Sequence, residues 1–363
     1  MPENSIQAIA IHLPQFHPVP ENNLWWGDGF TEWTNVSKAK SLFNGHYQPQ
    51  IPSNLGFYDL RLEDSRLAQE QLAKVYGITA FCYYHYWFNG KRMLEKPVDL
   101  KLKNPKEDLP FMLCWANGSW TRTWDGNDDI LLEQTYSIDD HKKHSKTILD
   151  YFKDERYLKI NNKPIFAVCR PEDISELDYF LNELKTLSIA NGFDGIYMLK
   201  FEMFEEGKDP SEINFDAAVS FQPNWRNNPK QLGRNWINRI FKNRRFWFYR
   251  DNNIFDYQKY VEKNSRKRYK YNQLPCVMPG WDNSPRKGNK NATIYVNSSP
   301  KIFKLWVSQI FKNWFWNDRD ARFLFINAWN EWAEGNHLEP CQKWGTKYLE
   351  VLKEELDAFN NNL

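Results

Sequence analysis

The sequence predicts a (β/α)8 TIM barrel, and three observations carry the prediction. Eight apolar runs of strand length recur along the 363 residues. They are near-continuous rather than alternating, as in strands buried on both faces of a parallel sheet. The segments between them have helical periodicity, so strand and helix take turns, and eight such units favour a closed barrel over an open doubly wound sheet. A barrel usually takes about 250 residues and often more with insertions, so one catalytic domain over 1–363 is expected. Rival phosphate-binding folds lack local support, because the chain has neither a Gly-x-Gly-x-x-Gly fingerprint nor a P-loop.

In chain order the runs are 8–13, 77–87, 110–115, 164–169, 195–201, 217–221, 275–279 and 322–328. Three begin at a proline, Pro110, Pro164 and Pro275, a position where the ring costs no ladder hydrogen bond. Between the runs, 61–76 gathers Leu62, Leu67, Ala68, Leu72 and Val75 on one helical face. The segment 174–190 does the same with Leu177, Phe180, Leu181, Leu184 and Leu187. Further helices are expected at 139–152, 300–316 and 347–359, with His141 and His144 on the surface of the first.

One connection breaks the rhythm. Between the sixth and seventh runs, 225–275 is about three times the length of an ordinary strand-to-strand connection. It holds 14 Lys and Arg against 3 Asp and Glu, a charge of +11, and leaves 34 basic and 43 acidic residues, −9, elsewhere. The net charge of +2 conceals this basic insertion. Its stretch from Arg234 to Arg250 mixes Arg with Trp, Phe and Tyr. Such a composition suits a surface helix on anionic lipid, or a solvated loop packed by its own aromatics. Nucleic acid can use the same composition but is not the partner expected.

Composition removes whole classes. With 41% apolar and 26% charged residues the chain is neither disordered nor of low complexity. No stretch approaches the roughly 20 apolar residues of a membrane span, and the start lacks the basic and apolar regions of a secretion signal. Five widely spaced cysteines form no Cys-x-x-Cys pair, as in a core kept reduced in the cytoplasm. What departs from average is the aromatic content, 17 Trp, 18 Tyr and 25 Phe.

Barrel chemistry sits at the C-terminal ends of the strands, and the aromatics collect there. After the first run come His17, Trp26 and Glu32. The second ends in Tyr84, His85 and Tyr86, and the third leads into Trp115, Asn117, Trp124 and Asp125. After the seventh stand Trp281, Asp282 and Asn283, and after the eighth Trp329 and Asn330. Rings interleaved with Asn, Asp and Glu suit a sugar, whose apolar face stacks while its hydroxyls need directional partners. An oligosaccharide or polysaccharide is therefore the expected substrate.

The sharpest pair is Glu331 and Glu334. A spacing of three on a helical turn brings their Cβ atoms to about 5–6 Å, compatible with the roughly 5–5.5 Å between the carboxyl groups of retaining glycosidases. Two carboxylates so close split their pKa values, one serving as acid and one as base. The seven histidines show no His-Glu-x-x-His spacing, so neither metal nor other cofactor is expected.

Long motifs stand at these strand ends: Leu13-Pro14-Gln15-Phe16-His17, Trp26-Gly27-Asp28-Gly29-Phe30-Thr31-Glu32-Trp33, Trp115-Ala116-Asn117, Pro279-Gly280-Trp281-Asp282-Asn283 and Asn327-Ala328-Trp329-Asn330-Glu331-Trp332-Ala333-Glu334-Gly335. Through them the chain resembles the WbsX family of polysaccharide-biosynthesis proteins over nearly its whole length. The last motif also resembles the Asn-Glu-Trp-x-Glu-Gly of retaining endo-α-mannosidases, which are (β/α)8 barrels. By that resemblance Glu331 takes the proton of the sugar 2-hydroxyl, which attacks C1 to give a 1,2-anhydro intermediate, and Glu334 protonates the leaving oxygen. The family usually has an acidic residue after Trp-Ala-Asn, where this chain has Gly118. The resemblance implies an enzyme that cleaves or transfers an α-linked glycosidic bond with retention. A glycosyltransferase of surface-polysaccharide assembly, using lipid-linked or nucleotide-linked donors at the inner face of the membrane, and a non-catalytic glycan-binding protein are the alternatives.

Overall fold

The computed structural model describes residues 5–122, 129–204, 206–233, 251–266, 270–313 and 320–361. Eight parallel strands close into a barrel: β1 (Gln7–His12), β2 (Ile78–Phe88), β3 (Phe111–Trp115), β4 (Lys163–Val168), β5 (Tyr197–Phe201), β6 (Ala217–Ser220), β7 (Gln273–Val277) and β8 (Phe323–Ile326). Each pairs in parallel with the next, and β8 returns to β1, where Ile9 lies between Phe325 on one side and Ala80 on the other. The sequence runs read as continuous because both faces are covered: Ala8, Ile9, Ala10 and Ile11 are all fully buried. β7 begins earlier than its run, at Gln273, and ends at Val277. The Met278 carbonyl has left the ladder and accepts the Tyr257 hydroxyl instead.

The helices are α1 (Pro20–Trp26), α2 (Glu32–Lys38), α3 (Glu63–Val75), α4 (Lys96–Leu102), α5 (Ile138–Phe152), α6 (Leu177–Ala190), α7 (Tyr257–Asn264), α8 (Ser284–Lys287), α9 (Pro300–Asn313) and α10 (Lys347–Asn360). On α6 the expected residues Phe180, Leu181 and Leu184 are buried. On α3 the expected apolar face is not the buried one. Leu62, just before the helix, and Val75 are 59% and 62% exposed, while Arg66, Gln69, Glu70 and Ala73 point inward. Those polar groups are accepted because α4 and the segment after it bring partners: Arg66 forks onto Glu107 at 2.8–3.1 Å and Glu70 pairs with Lys101 at 2.5 Å. His141 and His144 are also buried rather than on the surface.

The insertion is partly built into the barrel. Its strand Asn253–Asp256 pairs in parallel with Thr293–Val296 from the connection after β7, and α7 follows directly. Its stretch 234–250 lies outside the described residues. Among the described residues no helix is long and apolar enough to cross a membrane.

Candidate active site

Beyond β8 the chain makes a short bridge, Asn330–Glu331, paired antiparallel with Asn336–His337, and between them a 3-10 turn, Trp332–Glu334. The turn carries the chain from Glu331, its cap, to Glu334, its last residue. The turn closes at Gly335 in the left-handed region, φ +57°, where a Cβ would lie 2.9 Å from Gln50 Nε2 and 3.0 Å from Asp282 Cβ. Only glycine fits both the conformation and the space. The Asp282 amide fixes the turn from behind by donating to the Glu334 carbonyl at 2.6 Å.

Both carboxylates meet Arg286, carried by the single-turn helix α8 after β7. Its Nη1 lies 2.5 Å from Glu334 Oε1 and its Nη2 lies 2.9 Å from Glu331 Oε2. Glu32, the first residue of α2 and fully buried, adds a third carboxylate at 3.1 Å. One guanidinium cannot neutralise three carboxylates in a buried site. Burial pushes Glu331 up to about 8, with Arg286 pulling the other way and Glu334 and Glu32 adding to the rise. Burial likewise raises Glu334 and Glu32 against the pull of Arg286. The set therefore keeps a proton at neutral pH, and its titration belongs to the group rather than to one residue.

Glu331 and Arg286 form part of the wall of a cavity of about 230 Å³, with Leu13, Gln15, Asn22, Trp25, Trp26, Tyr86 and Trp120 among the other lining residues. Of the expected residues, Glu331, Glu334, Glu32, Trp26 and Tyr86 are thus brought to one place, and Tyr84 sits beside Tyr86 with ring centroids 6.2 Å apart. Arg286 and Asn22 were not expected. Arg286 is the cation that three converging acids require, and it stands within the run that follows the seventh strand. Asn22 is 1% exposed and neither of its amide atoms has a partner among the described residues, a condition costing about 1–3 kcal/mol that a ligand hydroxyl could relieve.

Other expected contacts are spent on structure. Strand alternation turns His85 away from Tyr84 and Tyr86 toward α5, where its Nε2 lies 2.9 Å from His144 Nε2. Trp115, opposite His85 in register, is fully buried and packs on the same His144 ring. Asn117 ties the third strand's loop to the fourth through the Arg170 backbone, at 2.7 and 2.9 Å. Asn330 exchanges two hydrogen bonds with the Leu13 backbone at 2.7 and 3.0 Å. Trp329 is fully buried against Phe81. Asn283 accepts the Thr293 amide. His17 is held by the Pro14 carbonyl at 2.9 Å, with Asp59, Arg61 and Lys96 as its charged neighbours. Asp282 accepts from His46 and Gln48, both at 2.7 Å. Together with Trp281 it lines a second cavity, of about 390 Å³, floored by Tyr47, Tyr295, Trp344 and Tyr348. Trp124 and Asp125 lie outside the described residues. At Gly118 a Cβ would stand 3.6 Å from Arg170 Nη1, and Arg170 pairs instead with Asp173 at 2.7 Å. Among the described residues no cluster of three or more His, Cys, Asp or Glu is arranged to hold a metal ion.

Comparison with known proteins agrees with this architecture. The family model described as Glycosyltransferase WbsX matches residues 8–352. Two Xanthomonas campestris pv. campestris proteins, both called uncharacterized protein WxcX, from strains B100 and ATCC 33913, are 39% identical over 352 residues, 96% of this chain. The chain spans about half the length of these relatives, 49%. Among solved structures, the GH99 endo-α-mannosidase of Bacteroides thetaiotaomicron is 12% identical with a TM-score of 0.57, covering 98% of each chain. A glycoside hydrolase-like protein is 14% identical with a TM-score of 0.56, covering 97% of this chain and 94% of its own. At these identities the likeness establishes the shared barrel fold.

Proposed function

We propose that this chain, which belongs to the WbsX glycosyltransferase family, is a carbohydrate-active enzyme that breaks or transfers an α-linked glycosidic bond with retention, Glu331 acting as base and Glu334 as acid. The observation that carries the reading is the single guanidinium holding Glu331, Glu334 and Glu32 beside an aromatic cavity at the barrel mouth. Such a set works with one proton in play. A sugar hydroxyl that donates to Glu331 favours its ionised form, which leaves the proton on Glu334. The 2-hydroxyl then loses its proton to Glu331 as its oxygen attacks C1, and the leaving oxygen takes the proton of Glu334. Water or an acceptor hydroxyl, giving its proton back to Glu334, opens the 1,2-anhydro ring, and the proton on Glu331 returns to the 2-oxygen. Two displacements at C1 restore its configuration. Trp26 and Tyr86 supply ring faces for the sugar, and the basic segment 225–275 suits an anionic membrane surface or a lipid-linked glycan.

The test offers α-linked manno- and gluco-oligosaccharides, with and without a second glycan as acceptor, and follows the anomeric signals by NMR. Glu331→Gln and Glu334→Gln are each expected to lower turnover by roughly a hundredfold or more, the scale of acid or base assistance, with glycan binding kept. An inverted product, or near-normal turnover in either variant, refutes the assignment. The family's description favours a second reading as transferase, and products extended on the acceptor in preference to hydrolysis would select it. Binding without turnover would select the glycan-binding alternative.

A further inference from the structure

The two residues that flank Glu331 in the chain are both tied to one buried carboxylate. Glu339 is 2% exposed and lies just beyond the catalytic turn. Its Oε2 accepts the Trp332 indole N–H at 2.6 Å and the Tyr58 hydroxyl at 2.8 Å. The Tyr58 oxygen in turn accepts from Asn330 Nδ2 at 3.2 Å. The other oxygen, Oε1, accepts from Gln69 Nε2 of α3 at 2.7 Å, and the Glu339 amide donates to the Trp329 carbonyl at 3.1 Å. Position 330 is thus held through Tyr58, position 332 directly, and the whole is moored to the helix layer. The Trp332 ring is stacked on His337 with centroids 3.7 Å apart, which sets the direction in which its N–H points.

We propose that Glu339 is a positioning residue that aligns Glu331 for proton transfer by gripping both of its chain neighbours. The inference rests on the reading of Glu331 as the base and adds to it the group that sets its place. Chemistry selects a carboxylate here. All three side-chain partners are donors, Tyr O–H, Gln N–H and Trp N–H, and ionised Glu accepts from all of them, whereas an amide would bring one N–H face to face with another. The identity of the residue therefore matters more than its burial, which a Gln would keep. A shift of the turn by about 1 Å is enough to cost roughly a hundredfold in rate when it displaces a reacting group.

The experiment uses the full chain as Glu339→Gln, Trp332→Phe and Tyr58→Phe variants, with Leu352→Ala in α10 as a control that loses stability far from the mouth. The first readout needs no substrate. The indole N–H resonance of Trp332, assigned by its loss in Trp332→Phe, is expected far downfield in the wild type and displaced in Glu339→Gln. The second readout uses the α-linked oligosaccharides of the preceding test. Glu339→Gln and Trp332→Phe each lower kcat by roughly a hundredfold with KM nearly unchanged. Their combination loses less than the product of the two, as residues sharing one contact do, and Leu352→Ala keeps its kcat. Where Glu339→Gln does not fold, Tyr58→Phe, which removes the hydroxyl between Glu339 and Asn330 and leaves the Trp332 and Gln69 bonds in place, shows a smaller kcat loss of the same kind. An undisplaced Trp332 resonance, or variant rates that match Leu352→Ala, overturns the proposal. The resonance reports the clamp even if no oligosaccharide is turned over. Normal rates in the clamp variants beside a dead Glu331→Gln remove the clamp and leave the function standing.

Discussion

Glu331 is the residue on which the electrostatics of the site converge, and its pH behaviour follows from its neighbours. Its ordinary value of 4.5 is raised to about 8, first by burial and then by Glu334 and Glu32, with Arg286 opposing. Burial pushes Glu339 up to about 7 against the hydrogen bonds that Trp332, Gln69 and Tyr58 donate to it, so its clamp is fully ionised only above that value. Between about pH 4.5 and these values the folded protein holds protons that the unfolded chain has released. Below about pH 6.5 the buried His12, His17, His85 and His337 act the other way, because burial lowers them to about 3 or 4 and there the unfolded chain binds their protons. Above it the raised carboxylates remain, the folded state binds more protons, and stability falls as pH rises. The melting temperature is expected to drop from about pH 6.5 to about pH 8, and the drop should shrink in Glu331→Gln. Activity should fall over the alkaline part of the same range, as the set loses its last shared proton and with it the acid. A melting temperature that climbs steadily from about pH 6.5 to about pH 8 in the wild type, or an unchanged slope in Glu331→Gln, contradicts the raised carboxylate.

Elements that bury the same surface on both faces were the easiest to see in the sequence. All eight strands were legible as apolar runs, because a strand closed between a barrel core and a helix layer admits few polar residues, here His12, His85, Lys200 and Gln273 among them. Helix α3 was legible as a helix but its buried face was not, since a face built from Arg66, Gln69, Glu70 and Ala73 looks like solvent unless the partners from α4 and beyond are known. Which strand-end residues face the mouth was half legible. The period of two in β2 separates Tyr84 and Tyr86 from His85, but the motif read as one aromatic cluster hides it. Arg286 was hidden for another reason, because its partners come from α2 and from beyond β8, far away in the chain. The inward polar face of α3 makes its own demand. Lys101 pairs with Glu70 at side-chain exposures of 1% and 2%, so Lys101→Met leaves a buried carboxylate without its cation. Denaturant titration should show a loss of about 3–5 kcal/mol, the usual scale for breaking a buried pair. Replacing Glu70 with Gln in the same variant should recover part of it. A loss below about 1 kcal/mol would mean that water reaches the pair, as in an exposed one.

At the scale of the whole molecule the charge is divided, +11 in 225–275 and −9 in the remainder. The fold gives the division a direction. The segment leaves β6 and returns to β7, and its strand Asn253–Asp256 is paired with Thr293–Val296, in the same connection that carries Arg286. The basic segment is therefore rooted at the face of the barrel that holds the carboxylates. The proposed function draws this charge to an anionic surface. Each Lys or Arg near such a surface contributes about 1 kcal/mol, and salt screens the attraction. The chain is therefore expected to cosediment with vesicles containing phosphatidylglycerol at low salt, to be released as salt is raised, and to leave neutral phosphatidylcholine vesicles unbound. Deleting 234–250 should abolish the binding while the barrel keeps its melting temperature. Equal and negligible recovery on both vesicle types at low salt returns the segment to a solvated loop packed by its aromatics, and the substrate would then have to reach the mouth from solution.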